Sequence, residues 1–236
     1  NVARLANPTA IANGDPSSQT AMFPWQVYSQ LLEARTSDPV LTRDVTGMMP
    51  AVWLTCRAVD LRSKHGAGAA IRGIPADYDR AFGELVDATG TPIDLGRFAP
   101  GDAVLNRAGA TTLGAEVGDE LTCTGTAGAF RLRIAAIARA VGLGTGSTVA
   151  LTVPLGWLQS SLPPSQAQGV KDPINQIWVT LRGTPITSAE IAPEVATALR
   201  SRLVDEAADS ALRALVSLPE FRVGLANRRP NLQLRV

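Results

Sequence analysis

Apolar side chains run almost unbroken from residue 48 to 59, and from residue 130 to 137 large apolar residues alternate with basic or small ones. The first pattern predicts a long, largely buried strand and the second a half-buried one. A further strand over 69–74 follows the first through the turn Lys64-His65-Gly66-Ala67-Gly68, which makes a hairpin. Short strands are also expected at 103–105, after the Gly118-Asp119 turn, at 149–153 and at 174–181. Between 103–105 and that turn, a run of small residues reaching Leu113-Gly114 reads as a helical turn.

Helical spacing is clearest in the flanks. Trp25, Tyr28, Leu31 and Leu32 predict a helix opening near Pro24 and stopping before Asp38-Pro39. Tyr78, Phe82 and Leu85 predict a short helix within 77–86, and Gly90 and Pro92 mark a turn after it. Ile191, Val195, Leu199 and Leu203 form a stripe on a helix capped by Ser188, with Pro193 early enough to be tolerated. A second helical stretch is expected over 205–218 and a last short strand over 221–225. Residues 1–20, rich in Asn, Pro, Ser, Ala and Gly and without periodicity, read as an extended, loosely packed lead.

Composition narrows the function classes. Of 236 residues, 45% are hydrophobic and 18% charged, which suits a globular chain of one large or two small domains. A formal charge of +1 gives neither the basic face that nucleic-acid binding needs nor a polybasic membrane patch. No window approaches the roughly 18 consecutive apolar residues of a membrane span, and no leader pattern is visible.

Candidate chemistry is sparse. Gly144-Thr145-Gly146-Ser147 is out of register for a nucleophile elbow, and His65, the single histidine, lies in a glycine-bounded turn that reads as solvated. The run Gly142-x-Gly144-x-Gly146 lacks the Lys-Ser/Thr of a phosphate loop and reads as a flexible hairpin tip. Asp77, Asp79, Glu84 and Asp87 fit a turn and a solvated helix face better than a glycosidase pair. Cys56 and Cys123 lie far apart in sequence on different predicted strands; two buried thiols are preferred, with a disulfide left open, and zinc spacing is absent. Trp25, Trp53, Trp157 and Trp178 read as core, with partial exposure left open for Trp157, before the Pro163-Pro164 break.

Four blocks in fixed order carry a resemblance: Ala103-Val104-Leu105-Asn106 with Leu113-Gly114, then Val117-Gly118-Asp119-Glu120-Leu121, then Pro154 to Gln159 in the form P-L-x-x-L-Q, then Ile174-Asn175-Gln176-Ile177. With the lead-in Ile71-Arg72-Gly73-Ile74 and Asp77-Tyr78, the chain resembles the extracytoplasmic domain of FtsX-like, MacB-type ABC-transporter permeases. That resemblance implies an α+β fold of two lobes, a porter-like α/β subdomain built from both chain ends (1–75 and 171–236) and an inserted β-rich subdomain (76–170). It also implies a non-catalytic domain outside the membrane, without cofactor or metal, anchored by transmembrane helices beyond this sequence. Its partners would be a separate ABC ATPase subunit or domain, a second permease copy, and a lipoprotein, peptide or cell-wall-related protein, with no nucleic acid. Loops 139–148 and 163–171 are the expected contact regions, with Arg139, Leu143, Thr145, Trp157, Gln166 and Lys171 as candidate contacts. Two other classes stay open at this point: a secreted hydrolase and a free-standing extracellular binding module.

Overall fold

A computed structural model describes residues 2–6, 22–78, 80–144, 146–167, 169–205 and 222–226. Its strands are β1 (Val2–Ala6), β2 (Phe23–Pro24), β3 (Val45–Asp60), β4 (Gly66–Ile74), β5 (Asp102–Asn106), β6 (Glu120–Gly125), β7 (Gly128–Ala138), β8 (Val149–Pro154), β9 (Pro173–Ile174), β10 (Gln176–Leu181) and β11 (Arg222–Ala226). The helices are α1 (Gln26–Ser37), α2 (Pro39–Asp44), α3 (Arg107–Leu113), α4 (Leu155–Ser161), α5 (Pro164–Ala167) and α6 (Pro185–Asp205). None of the helices among the described residues is long and apolar enough to cross a membrane.

The organising element is β3. Its 16 residues, about 50 Å at the usual rise per residue, belong to two different sheets in succession. Residues 45–51 pair with β10, which pairs with β1, which pairs with β11, all antiparallel. Residues 52–60 pair with β4 on one edge and β6 on the other, and the ring β3-β4-β8-β5-β7-β6 closes on itself as a six-stranded barrel. The fold is α+β, with an α/β unit drawn from both chain ends and a β-rich unit between them. Four barrel strands come from the middle of the chain, and β3 and β4 supply the other two.

One apolar core runs through both parts. Val27, Leu31, Ala34, Leu41, Val195 and Leu199 on α1, α2 and α6 pack over Met48, Ile177 and Val179, and the same cluster continues into the barrel through Leu54, Leu105, Leu132 and Leu151. A second core lies on the opposite face of β3 and β10. Met49, Ala51 and Trp178 meet Phe82, Leu85, Leu95 and Leu143 there, so the irregular segment 76–98 is strapped across the junction of the two sheets.

Several local expectations change. The stretch 77–86 holds a single 3-10 turn, Arg80–Phe82, in place of a helix. Its three large residues do pack, but the Tyr78 hydroxyl accepts from the Leu85 amide at 2.9 Å, which replaces helical bonding. Pro24 pairs with Pro173 in a two-residue ladder and the helix starts at Gln26; Leu32 faces outward, 39% exposed. Asp38 ends one helix and starts the next, its carboxylate accepting from Val40 and Leu41 at 2.9 and 3.2 Å.

The helix expected to be capped by Ser188 opens four residues earlier. Thr184 and Thr187 exchange hydroxyl-to-amide bonds at 2.9 and 3.3 Å as a capping box, and Pro185 takes the first helical position. Ser188 is therefore interior, donating to the Thr184 carbonyl at 2.6 Å, and Pro193 sits well inside the helix. The lead segment contains β1, where a loose chain was expected. The helical stretch expected over 205–218 lies outside the described residues, and the final strand is present as β11.

Buried carboxylates pin the elements together. Asp44, fully buried, binds Arg43 at the end of α2 and Arg182 just after β10. Asp102 on β5 binds Arg133 on β7 at 2.8 Å, and Asp119 binds Arg62 at 2.9 Å, closing the far end of the barrel. The Arg43, Arg133 and Arg62 guanidiniums hold these three carboxyls below the ordinary carboxylate range through their hydrogen bonds. A group depressed in the folded state stabilises above its unfolded pKa and loses that contribution as pH falls through the folded one. Stability to urea is thus expected to hold from neutral pH down to about pH 4 and then decline, and Asp44→Asn should make that decline shallower. An unchanged acid profile in Asp44→Asn would show that this carboxylate does not contribute.

Candidate functional site

The sequence points to loops 139–148 and 163–171 as contact regions, and the fold sets them apart from each other. Gln166 donates to the Thr126 carbonyl at 3.2 Å, beside the start of β7, whereas Arg139 directly follows its end. The eleven residues of β7 set the two about 30 Å apart. Trp157 is half-buried on α4, edge-on to Phe130 at the start of β7 with ring centroids 6.3 Å apart, and Lys171 is exposed beyond α5. Trp157, Gln166 and Lys171 thus belong to one side, and Arg139 to the other.

The segment after β7 is held from beneath. Leu143 is fully buried in the second core, so its side chain serves as an anchor and reaches no partner. Arg72, buried on β4, donates to the Leu143 carbonyl and to Thr152 Oγ1. Asn106 at the end of β5 caps α3 by accepting from the Gly109 amide at 3.0 Å, accepts from the Ala150 amide at 2.9 Å and donates to the Thr148 carbonyl at 2.8 Å. This explains the A-V-L-N block: the asparagine ends a strand, starts a helix and fixes the approach to β8. Leu113-Gly114 follows because Gly114 closes α3 with φ +63, a left-handed position that suits glycine.

The glycine run is no flexible hairpin tip. Gly142–Gly144 is a 3-10 turn in which Gly144 N donates to the Val141 carbonyl at 2.8 Å. A Cβ at Gly144 would lie 2.0 Å from the Arg139 carbonyl oxygen and one at Gly142 2.9 Å from that of Glu84. The glycines are there for close packing against the strap and offer no anion cradle. Thr145 lies outside the described residues.

What this end of the barrel presents is a shallow open cleft of about 440 Å³, lined by Ala88, Arg107, Ile137 and residues 138–141. Arg107 and Arg139 are exposed at its rim and Val141 is 44% exposed. An apolar floor with two guanidiniums suits an acidic or amide-bearing surface. The adjacency of Arg107 to Arg139 was not readable from sequence, since it depends on the parallel pairing of β5 with β7.

No catalytic constellation is assembled among the described residues. His65 is exposed near Gly114, Glu84 pairs with Arg80 at 3.7 Å, and Asp87 caps its own turn by accepting from Thr89 and Thr91. No group of three or more metal-ligating side chains occurs among the described residues.

No protein-family model matches the sequence. No curated protein matches it either. Solved structures do match. The extracellular domain of the noncanonic ABC-type transporter YknZ from Gram-positive bacteria superposes with a TM-score of 0.50 at 12% identity, over 87% of this chain and 94% of that one. The chain therefore shares that domain's fold. The periplasmic region of MacB from Actinobacillus actinomycetemcomitans matches with a TM-score of 0.44 at 14% identity, over 83% of this chain and 82% of that one. A domain of a putative permease protein from Porphyromonas gingivalis matches with a TM-score of 0.38 at 14% identity, over 72% and 68%.

Proposed function

We propose that this chain, having the fold of an ABC-transporter extracellular domain, is itself the extracytoplasmic domain of an FtsX-like, MacB-type permease. In this reading it is non-catalytic and carries motion from ATP hydrolysis in a separate ATPase subunit or domain to a partner outside the membrane. The observation that supports it best is the register of the outer strands: Val2 lies directly opposite Ala226. The first residue of β1 and the last of β11 therefore sit side by side, about 5 Å apart. Two membrane helices attached there would hold the domain by two adjacent feet. Val2 also faces Thr180, which faces Gly47, so the feet stand at the start of β3.

From that row β3 runs unbroken into the barrel, whose far end at Asp60 is about 40 Å away. A displacement at the feet is carried along one strand and one continuous core to the barrel. The foot is the part of 1–75 and 171–236 outside the barrel, and the working end is 76–170 together with the barrel stretch of β3 and β4, with the arginine-rimmed cleft as a contact for a lipoprotein, peptide or cell-wall-related protein. A second permease copy completes the assembly, and nucleotide changes the arrangement only through its differential affinity for two states.

Val117, 60% exposed in the loop before β6, reports on both parts of this reading. In the full gene product lacking other cysteines, Val117→Cys is expected to react with a membrane-impermeant maleimide on intact cells. Protection until the membrane is opened would overturn the extracytoplasmic assignment. Spin labels at the same position in the assembled transporter should change their separation between nucleotide-free and ATP-bound states, and an unchanged distribution would overturn the lever.

A further inference from the structure

The pairing of β3 with β6 is what closes the barrel, and both cysteines lie on it. In its register Cys56 faces Gly125 and Ala58 faces Cys123. Residues 56 and 58 share a face of β3, and a residue shares its face with the one opposite, so Cys56 and Cys123 are diagonal neighbours on the inner face. In a flat ladder such a diagonal spans about 7 Å between Cα atoms, at the limit of what a disulfide bridges. Here the strands approach unusually closely: a Cβ at Gly125 would lie 2.4 Å from the Thr55 carbonyl oxygen and 3.3 Å from Cys56 Cβ. The glycine leaves the Cys56 side chain room to lean along the seam towards Cys123. Both are free thiols, Cys56 half-buried and Cys123 fully buried.

We propose that Cys56 and Cys123 are an oxidisable pair that forms an intramolecular disulfide across the β3–β6 seam, with Cys56 as the entry thiol. The oxidant is a small-molecule disulfide. Half-exposed Cys56 attacks one of its sulfurs as the thiolate, forming a mixed disulfide and releasing the first thiol. Cys123 then attacks the Cys56 sulfur, its proton passing to the second departing thiolate. The two cysteines lose two protons and two electrons, and the oxidant takes them up to become two thiols. The neighbouring Cys123 holds the Cys56 thiol below its ordinary pKa, while Cys56 and burial push Cys123 up, in keeping with this order. The bond would lock the strand pair on which barrel closure depends, giving the domain a covalent seam in an oxidising environment. The geometry stands whatever the chain's role in transport.

The full chain, purified reduced, is exposed to oxidised glutathione, then unfolded and alkylated. The expected result is a monomer lighter by two hydrogens that takes up no alkylating agent, against two alkyl groups on the reduced chain, with a Tm about 5 °C higher when oxidised. Cys123→Ala, which keeps the entry thiol but not the resolving one, should stop at a glutathione adduct on Cys56. Retention of both thiols in the wild-type chain, a stable wild-type glutathione adduct, or disulfide-linked dimers would overturn the pairing. A Cys123→Ala chain that takes up no glutathione would overturn the order of attack.

Discussion

Trp178→Ala is expected to cost about 4 kcal/mol of folding stability and to lower the Tm by about 10 °C. The indole is 1% exposed, its Nε1 donates to Gln176 Oε1 at 2.7 Å, and its ring meets that of Trp53 at 6.1 Å between centroids. It is the largest side chain in the core that joins β10 to the 76–98 strap and to Leu143. Truncation leaves a cavity between three segments that do not otherwise share one. The loss should be accompanied by faster hydrogen exchange across 76–98, because those residues have no regular ladder of their own. Leu199→Ala, on the helix-covered face of the other core, also destabilises but leaves exchange in the strap slow. A Trp178→Ala loss under about 1 kcal/mol, or an unchanged strap, would show that this core does not bind the two sheets together.

The same region shows where sequence reading succeeds and stops. Periodicity reports local pattern, so β3, the β3–β4 hairpin, α3 with its Gly114 stop and the alternation of β7 were all legible. Tyr78, Phe82 and Leu85 were also rightly read as apolar partners, but their spacing was taken for a helix when it serves an irregular strap. What decides between those outcomes is the distant surface they cover, which no local window contains. β1 escaped notice because five residues in a proline- and asparagine-rich lead carry little pattern; its place is set by the neighbours β10 and β11. The cysteines likewise seemed separated until β6 was placed beside β3.

The candidate contact loops show a second limit of sequence reading. Loops 139–148 and 163–171 are both rich in turn residues, and each is adjacent to a barrel strand, so sequence offered no reason to part them. The length and direction of β7 parts them. Leu143 lies in the candidate loop 139–148, yet its neighbouring glycines let the turn press it into the second core. Arg139 keeps its place at a cleft because Arg107, three elements away along the chain, is brought beside it.

Asn175→Ala is expected to cost about 3 kcal/mol, far more than its size suggests, because of where β3 changes partners. Along one edge, β3 pairs with β10 up to Ala51 and with β6 only from Cys56. In the gap, the Trp53 amide donates to Asn175 Oδ1 at 2.7 Å and the Trp53 carbonyl accepts from Asn175 Nδ2 at 2.8 Å. One side-chain amide thus stands in for a strand residue, with its own N–H anchored to the Ala51 carbonyl at 3.2 Å. That gives the I-N-Q-I block a physical reason. Alanine would strand a backbone donor and an acceptor beneath a side chain that is itself 3% exposed. Asn175→Asp keeps the acceptor for the Trp53 amide but, ionised, sets a second acceptor against the Trp53 carbonyl, so it should recover little of the loss at neutral pH. Because the gap is the point at which the α/β sheet gives way to the barrel, the Trp53 amide should exchange on the order of 100-fold faster in Asn175→Ala, about the factor that 3 kcal/mol implies. The Leu105 amide, inside the barrel, should keep a larger share of its protection. If the Trp53 amide stays as slow as in the wild type, the asparagine is not what seals the junction, and the stiffness of β3 across it must come from the strap alone.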